Sequence, residues 1–101
     1  MMLMMMVLIA DAASAGPLPI ERQAQLLHLL RHDCGSCHGF TMWGGLGPAL
    51  SPPALAGKDD QVLTEIVLDG VPGTPMPPWR FELSRDEAAW MIARLKSGAV
   101  P

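Results

Sequence analysis

Two cysteines and a histidine lie close together in the chain, in the order Cys34, two residues, Cys37 and His38. Cys-x-x-Cys-His is the pattern through which a c-type haem is attached to a polypeptide. The two-residue spacing lets one turn of backbone present both sulfurs to the vinyl groups on one porphyrin edge, and the imidazole that follows can coordinate the iron. The pattern therefore predicts one covalently bound haem c, held by thioethers at Cys34 and Cys37 and by axial His38.

Paired cysteines also occur in redox-active dithiols, structural disulfides and zinc sites. A thioredoxin-like dithiol is typical of a βαβ unit, whereas no strand pattern precedes Cys34. A zinc site would need His28 or His32 as a further ligand, and the spacing matches no zinc finger. The residues therefore favour haem over these three alternatives.

His28 and His32 are four residues apart, a spacing at which two imidazoles on a helix could chelate a metal ion. Both lie on the polar arc of the predicted first helix, so the simpler interpretation is a solvated face. Because this helix leads directly into Cys34, neither histidine can easily reach the opposite side of the haem.

The second axial position of the haem iron needs a ligand from elsewhere in the chain. Met42 is too close in sequence to His38 to cross to the other side. Met91 lies inside the predicted last helix, where methionine usually fills a core. Met76 stands among prolines in a stiffened loop and is the predicted axial ligand. Met/His ligation raises the reduction potential and leaves no open coordination position, which predicts an electron carrier rather than an enzyme.

Four further residues are predicted to surround the haem. The carbonyl of Pro48 is the expected acceptor for the second ring N–H of His38, because ligating histidines usually donate such a bond. Leu50 lies in the same short motif. The indole N–H of Trp79 and the guanidinium of Arg80 could bond the haem propionates. For Trp79 the alternative is packing over the loop.

Residues 1–15 are predicted to be a cleaved signal peptide, and residues 16–101 the cytochrome c domain. A short apolar run is followed by an A-x-A pattern ending at Ala15. The run is shorter than the ~20 apolar residues that span a bilayer, so an uncleaved anchor is the weaker alternative. The pattern predicts export to the periplasm, without stable membrane insertion after cleavage.

The balance of charge argues against a nucleic-acid partner. The chain has 7 Lys plus Arg and 10 Asp plus Glu, a formal net charge of −3, and no basic patch to neutralise phosphates. Net acidity instead suggests a protein partner with a basic patch. A domain this small usually needs a covalent or metal staple, and the haem would supply it.

Three helices are predicted to position these residues, in an all-α fold with long loops around one haem. The first begins near Ile20. Its predicted apolar arc comprises Ile20, Ala24, Leu26, Leu27, Leu30 and Cys34. Asp59 or Asp60 is expected to cap the second helix, which Gly70 ends. Ser84 and Glu87 form a capping box for the third, which Gly98 closes.

The chain resembles the class I c-type cytochromes over residues 20–98. The similarity lies in the Cys-x-x-Cys-His motif, in Gly-Pro-Ala-Leu at 47–50, in Gly-Thr-Pro-Met-Pro at 73–77 and in Trp90 of the last helix. This resemblance implies the class I fold, two thioether links, axial His38 and Met76, and the carbonyl bond from Pro48. It also implies that one haem edge is exposed for docking and electron exchange.

A narrower resemblance is to the small periplasmic NirC-type cytochromes of denitrification clusters, carried by residues 31–39, 44–50, 76–80 and 83–90. It implies a one-electron donor to haem-cd nitrite reductase, with that enzyme or another periplasmic cytochrome as redox partner. An assembly role in d-haem or nitrite reductase maturation is the alternative. A peroxidase-like enzyme is a third class, for which Met76 would have to leave the iron.

Overall fold

The computed structural model describes residues 18–100, so the predicted signal peptide lies outside the described residues. Between these limits the secondary structure is helical, without strands. The helices are α1 (Ile20–Leu29), which continues through a π-helical segment (Leu30–Cys34) into α2 (Gly35–His38), then α3 (Pro52–Leu55), α4 (Asp60–Asp69) and α5 (Arg85–Ser97). Among residues 18–100, no helix has the length and hydropathy needed to cross a membrane.

The face of α1 that enters the core differs from the predicted arc. Leu26 and Leu30 are buried, whereas Ile20 is 77% exposed and Ala24 is also exposed. Arg22, one turn before Leu26, forms an ion pair with Glu87 of α5. The inward face therefore runs along every fourth residue from Arg22. Ile20 precedes Arg22 by two residues, which on an α-helix places it on the opposite side, so its predicted place in the core was wrong.

The boundaries of α4 and α5 follow the predicted capping signals. Asp59 caps α4 by accepting a hydrogen bond from the N–H of Val62 at 3.0 Å, and Gly70 ends it with a φ of 69°. Ser84 and Glu87 form the reciprocal capping box of α5, with N···O distances of 2.9 and 3.1 Å. Left-handed Gly98 closes α5. These predictions are confirmed.

Helix α3 was not predicted from the sequence. Ser51 precedes it in an extended conformation, and Pro52 occupies its first position. Serine at the N-cap followed by proline is a known helix-start signal. The start of this helix could therefore have been predicted from Ser51 and Pro52. The helix buries Leu55 and packs against α5.

The core joins the helices to the loop that follows α2. In residues 18–100 the buried apolar side chains are Leu26, Leu30, Met42, Leu55, Leu68, Leu83, Ala88, Met91, Ile92 and Leu95. Arg22 ties the edge of this core, because it pairs with Glu87, donates to Gln25 Oε1 at 2.9 Å and donates to the carbonyl of Glu82 at 3.1 Å. This contact fixes α1 against the start of α5.

Candidate haem site

The two cysteines and His38 lie on one continuous helical stretch. Cys34 is the last residue of the π-helical segment, and Cys37 and His38 belong to α2. The N–H of Gly35 donates to the carbonyl of Leu30, a hydrogen bond across five residues that defines the wider helix. All three side chains are half-buried, and no disulfide joins Cys34 to Cys37. The sulfurs, three residues apart on a helix, are on the same side.

The thiol of Cys34 is poorly suited to redox exchange. Burial, with a smaller contribution from the nearby Asp33 carboxylate, raises the pKa of Cys34 to about 11. A redox-active Cys-x-x-Cys motif depends on the opposite, a thiol whose pKa is lowered so that thiolate is available near neutral pH. The environment of Cys34 therefore argues against the dithiol alternative.

The ring of His38 is held by the backbone of the following loop. Its Nδ1 lies 2.6 Å from the carbonyl oxygen of Pro48, the predicted contact. Because a carbonyl can only accept, Nδ1 is the nitrogen that carries a proton in this contact, which leaves Nε2 as the nitrogen that could bind a metal. A Cβ on Gly47 would lie 2.9 Å from two atoms of the ring, so only glycine allows the backbone to pass this close.

The loop after α2 folds back onto the end of that helix. The N–H groups of Gly44 and Gly47 donate to the carbonyls of His38 and Cys37, at 2.9 and 2.7 Å. These bonds satisfy backbone acceptors that the helix end leaves open. Gly39, with a φ of 91°, makes the turn possible, because a Cβ there would lie 2.5 Å from the carbonyl oxygen of Gly44. Backbone bonds, rather than side chains, thus fix the loop that orients His38.

The loop that carries Met76 is tied to the end of α4. The N–H of Val71 donates to the Met76 carbonyl at 3.2 Å, and the N–H of Trp79 donates to the Val67 carbonyl at 3.1 Å. A Cβ on Gly70 would lie 2.7 Å from the Met76 carbonyl oxygen. The loop therefore packs directly on Gly70, with the side chain of Met76 half-buried.

The other two described methionines are in the core. Met42 is 5% exposed and Met91 is 2% exposed. Met42 has a φ of 65°, and its carbonyl accepts from the N–H of Leu50 at 2.8 Å. The side chains of Met42 and Met91 are buried in the core, whereas the side chain of Met76 is only half-buried.

Trp79 and Leu50 are half-buried and pack against the core. For Trp79 this is the packing alternative considered from the sequence. Its carbonyl accepts from the N–H of Leu83 at 2.9 Å, which closes the turn that leads to α5. The two residues therefore support the Met76 loop and the Pro48 loop, respectively.

Arg80 contacts acidic side chains of α4. Its Nε lies 3.1 Å from Asp69 Oδ1, and a terminal nitrogen lies 2.5 Å from the same oxygen and 3.7 Å from Glu65. The guanidinium holds the pKa of Asp69 below its ordinary value. This pairing does not favour the predicted propionate contact, because the guanidinium already faces Asp69. The contact across eleven positions had no local sequence signal.

The donor set fits a covalent haem better than a metal ion. Residues 18–100 contain no group of three or more His, Cys, Asp or Glu side chains arranged to hold a metal, so the zinc alternative has no support. Two sulfurs on one helical face and an imidazole with a free Nε2 are the groups that haem c attachment requires. Gly47, lying against the imidazole, leaves that ring in a fixed plane.

Helices around a Cys-x-x-Cys-His segment and a separate methionine loop define a class I c-type cytochrome. A family model described as "Cytochrome C oxidase, cbb3-type, subunit III" matches residues 21–93. Together with the relatives below, this match shows that the chain belongs to the c-type cytochromes, and its cofactor is covalently bound haem c.

The relatives include small cytochromes of similar length. Cytochrome c55X of Paracoccus denitrificans (strain Pd 1222) is 51% identical over 88 residues, covering 87% of this chain and 85% of the relative. Cytochrome c55X of Pseudomonas aeruginosa is 58% identical over 80 residues, covering 79% and 67%. A solved structure, "c-type cytochrome NirC", has 55% identity and a TM-score of 0.80, covering 82% of this chain and 98% of that one. The predicted class I and NirC-type resemblances are confirmed.

A larger protein contains a similar segment. "Dihydro-heme d1 dehydrogenase" of Pseudomonas aeruginosa is 33% identical over 88 residues, which cover 87% of this chain but 17% of that protein. The structure "Dihydro-heme d1 dehydrogenase NirN in complex with DHE" aligns with 68% of this chain and 15% of its own, at 33% identity and a TM-score of 0.62. The likeness is therefore to one part of that protein.

Proposed function

We propose that the chain is a periplasmic mono-haem electron carrier. Cys34 and Cys37 would form the thioethers, and His38 and Met76 would coordinate the haem iron. The observation that carries the proposal is the 2.6 Å contact between His38 Nδ1 and the Pro48 carbonyl. It leaves Nε2 as the free nitrogen of a ring that cannot turn, as an axial ligand requires.

The protein's own residues explain why transfer rather than catalysis is proposed. Backbone bonds hold the His38 loop, and a second set at Gly70 and Val71 holds the Met76 loop. With both His38 and Met76 bound to the iron, no coordination position would remain for oxygen, peroxide or substrate. The haem would then supply reversible one-electron chemistry, while the two sets of backbone bonds hold His38 and Met76 in place. A peroxidase-like role would need Met76 to move away.

The proposed redox partner is haem-cd nitrite reductase. Support comes from the 55% identity to a NirC cytochrome and from the NirC-type motifs of the sequence. The proposal includes export directed by a signal peptide in residues 1–15 and a role in denitrification.

Stopped-flow mixing of the reduced, haem-loaded protein with oxidised nitrite reductase tests this role. We expect the carrier to be oxidised in a single phase whose rate rises with enzyme concentration. An unrelated small cytochrome of similar potential should react more slowly. Equal or slower reaction of this protein than of the unrelated cytochrome would contradict the assignment of the partner.

A second candidate function is service in d-haem maturation. It is favoured by the 33% identity to part of dihydro-haem d1 dehydrogenase. A dehydrogenase removes electrons from its substrate, and a free cytochrome similar to its own cytochrome-like part could accept them. The test is to mix the oxidised protein with that dehydrogenase and its dihydro-haem substrate. Fast reduction, combined with slow transfer to nitrite reductase and stable co-purification with maturation proteins, would favour this role over the first.

A further inference from the structure

His28 and His32 lie side by side on the exposed side of α1 and the π-helical segment. Their ring centroids are 4.2 Å apart, with an angle of 40° between the ring planes. Both residues are exposed, whereas Leu26 and Leu30 on the inward face of the same helix are buried. The two imidazoles therefore meet in solvent, away from the core.

The change of helix type between the two residues explains their close approach. In an α-helix a four-residue step overshoots a full turn by about 0.4 residue, so the second side chain is displaced around the axis. A π-helical turn contains more residues. Because the π-helical segment begins at Leu30, between His28 and His32, this four-residue step comes closer to a whole turn. His32 thus stands nearly in line with His28.

Neither imidazole is committed to another group. Within residues 18–100, neither ring has a hydrogen bond or an ion pair to a protein group, and their contact is with each other. Each neutral imidazole has a nitrogen lone pair that can bind a metal. Two such nitrogens on adjacent turns are a chelating pair, and solvent can fill the other coordination positions.

We propose that His28 and His32 form a surface site for a divalent transition-metal ion, with one nitrogen from each ring and water completing the coordination. Imidazole ligands suit copper, nickel and zinc, and Cu²⁺ binds most tightly in this series. Residues 18–100 offer no cluster of three or more acidic, histidine or cysteine side chains for a metal. The site therefore has two protein ligands and binds an exchangeable ion. It is independent of the proposed electron-carrier function.

Titration of the haem-loaded protein with copper sulfate, followed by calorimetry and electron paramagnetic resonance, tests the site. We expect one Cu²⁺ per chain with a two-nitrogen spectrum. His28→Ala or His32→Ala should weaken this binding at least about tenfold, since even changes outside the ligand shell commonly cost that much. The double variant gives the background from all other groups, including those beyond the described residues.

A rescue variant separates chelation from loss of a single ligand. Ala24 is exposed and lies four residues before His28, so Ala24→His in the His32→Ala protein restores a pair one turn earlier and should restore Cu²⁺ binding. An unchanged haem absorption spectrum and helical circular dichroism establish that each variant is folded. Single variants that bind as tightly as the native chain, or a native chain that binds no better than the double variant, would overturn the proposal.

Discussion

At the scale of single residues, the site depends on how closely the backbone approaches His38. The Pro48 carbonyl accepts a hydrogen bond from the Nδ1–H of His38, and Gly47 lies so near the imidazole that a Cβ would contact it at 2.9 Å. The ring plane is therefore set by two neighbouring residues of one loop. Both residues act on the iron through the ring that is proposed to bind it.

Gly47→Ala should disturb the site by crowding this ring. The added methyl must displace the imidazole or the loop, and overpacking of this kind costs about 1–3 kcal/mol. We expect a lower free energy of unfolding and a changed reduction potential of the haem-loaded protein. Gly35→Ala is the matched control, because its Cβ would meet the Phe40 side chain at 3.3 Å, which can yield. Equal effects of both substitutions would contradict this account.

Some contacts between single residues can be predicted from a sequence motif, and others cannot. The contact between His38 and Pro48 joins residues only ten positions apart. The motif, together with the usual hydrogen bond of a ligating histidine, was sufficient to predict this contact. Arg22 to Glu87 spans 65 positions, and it depends on how α1 crosses α5. The donors of Arg80 suggest a propionate contact, whereas α4 brings the carboxylates of Asp69 and Glu65 to its guanidinium.

At the scale of elements, the loop between α4 and α5 is built to hold Met76 in place. Gly70 ends α4 with a φ of 69°, and the Met76–Pro78 backbone packs against it. Thr74 adds a local bond, since its hydroxyl donates to the Val71 carbonyl at 2.7 Å. The prolines stiffen the same segment. The thioether is thus presented from a defined position.

Gly70→Ala should release this loop. The substitution strains a left-handed backbone and puts a Cβ 2.7 Å from the Met76 carbonyl oxygen. We expect partial or complete loss of the Met–iron charge-transfer absorption, with the haem still covalently attached. Gly73→Ala separates the two causes, because Gly73 has a φ of 79° but nothing within 4 Å of its Cβ. Gly73→Ala should keep the absorption. Loss of the absorption in both variants would show that backbone strain is sufficient, and would contradict a role for the contact between residue 70 and the Met76 carbonyl.

The start of α5 couples a helix cap to the contact with α1. Glu87 accepts from the Ser84 N–H and also pairs with Arg22. The Arg22 guanidinium holds the pKa of Glu87 below its ordinary value. Stabilisation from a lowered carboxylate pKa is present at neutral pH and is lost as the pH falls through that pKa.

Glu87→Gln should remove this pH dependence while keeping an oxygen for the cap. We expect the variant to be about 1 kcal/mol less stable than the native chain at pH 7, as for a well-placed ion pair. The difference should close in acid. Denaturant unfolding across the acid range measures it, with Asp86→Asn as the control for loss of a first-turn charge. A difference that stays constant with pH would contradict the role of the ion pair.

The elements were predictable where their signals are local. The caps at Asp59 and Ser84 and the glycine ends of α4 and α5 involve residues within four positions of each other. The π-helical segment had no such signal, because its residues suit an ordinary helix. The exposure of Ile20 likewise depends on which face of α1 packs against α5. The helical period of the apolar residues does not by itself determine which face that is.

At the scale of the whole molecule, helices enclose a small apolar core, while α2 carries His38 and the loop after α4 carries Met76, the two proposed iron ligands. The buried apolar set within residues 18–100 is small and consists mostly of leucine and methionine. Small domains commonly need a covalent or metal staple, and haem c is this chain's cofactor. The haem is therefore expected to stabilise the fold as well as to exchange electrons.

Met76, and not another methionine, is the proposed second ligand of the haem iron. The near-infrared charge-transfer absorption of the oxidised protein reports a methionine–iron bond. We predict this absorption at neutral pH in the native chain and in Met42→Leu and Met91→Leu. We predict its loss in Met76→Ala, with the haem still resistant to acid-acetone extraction. Absence of the absorption from the native chain, or its persistence in Met76→Ala, would rule out Met76 as the ligand.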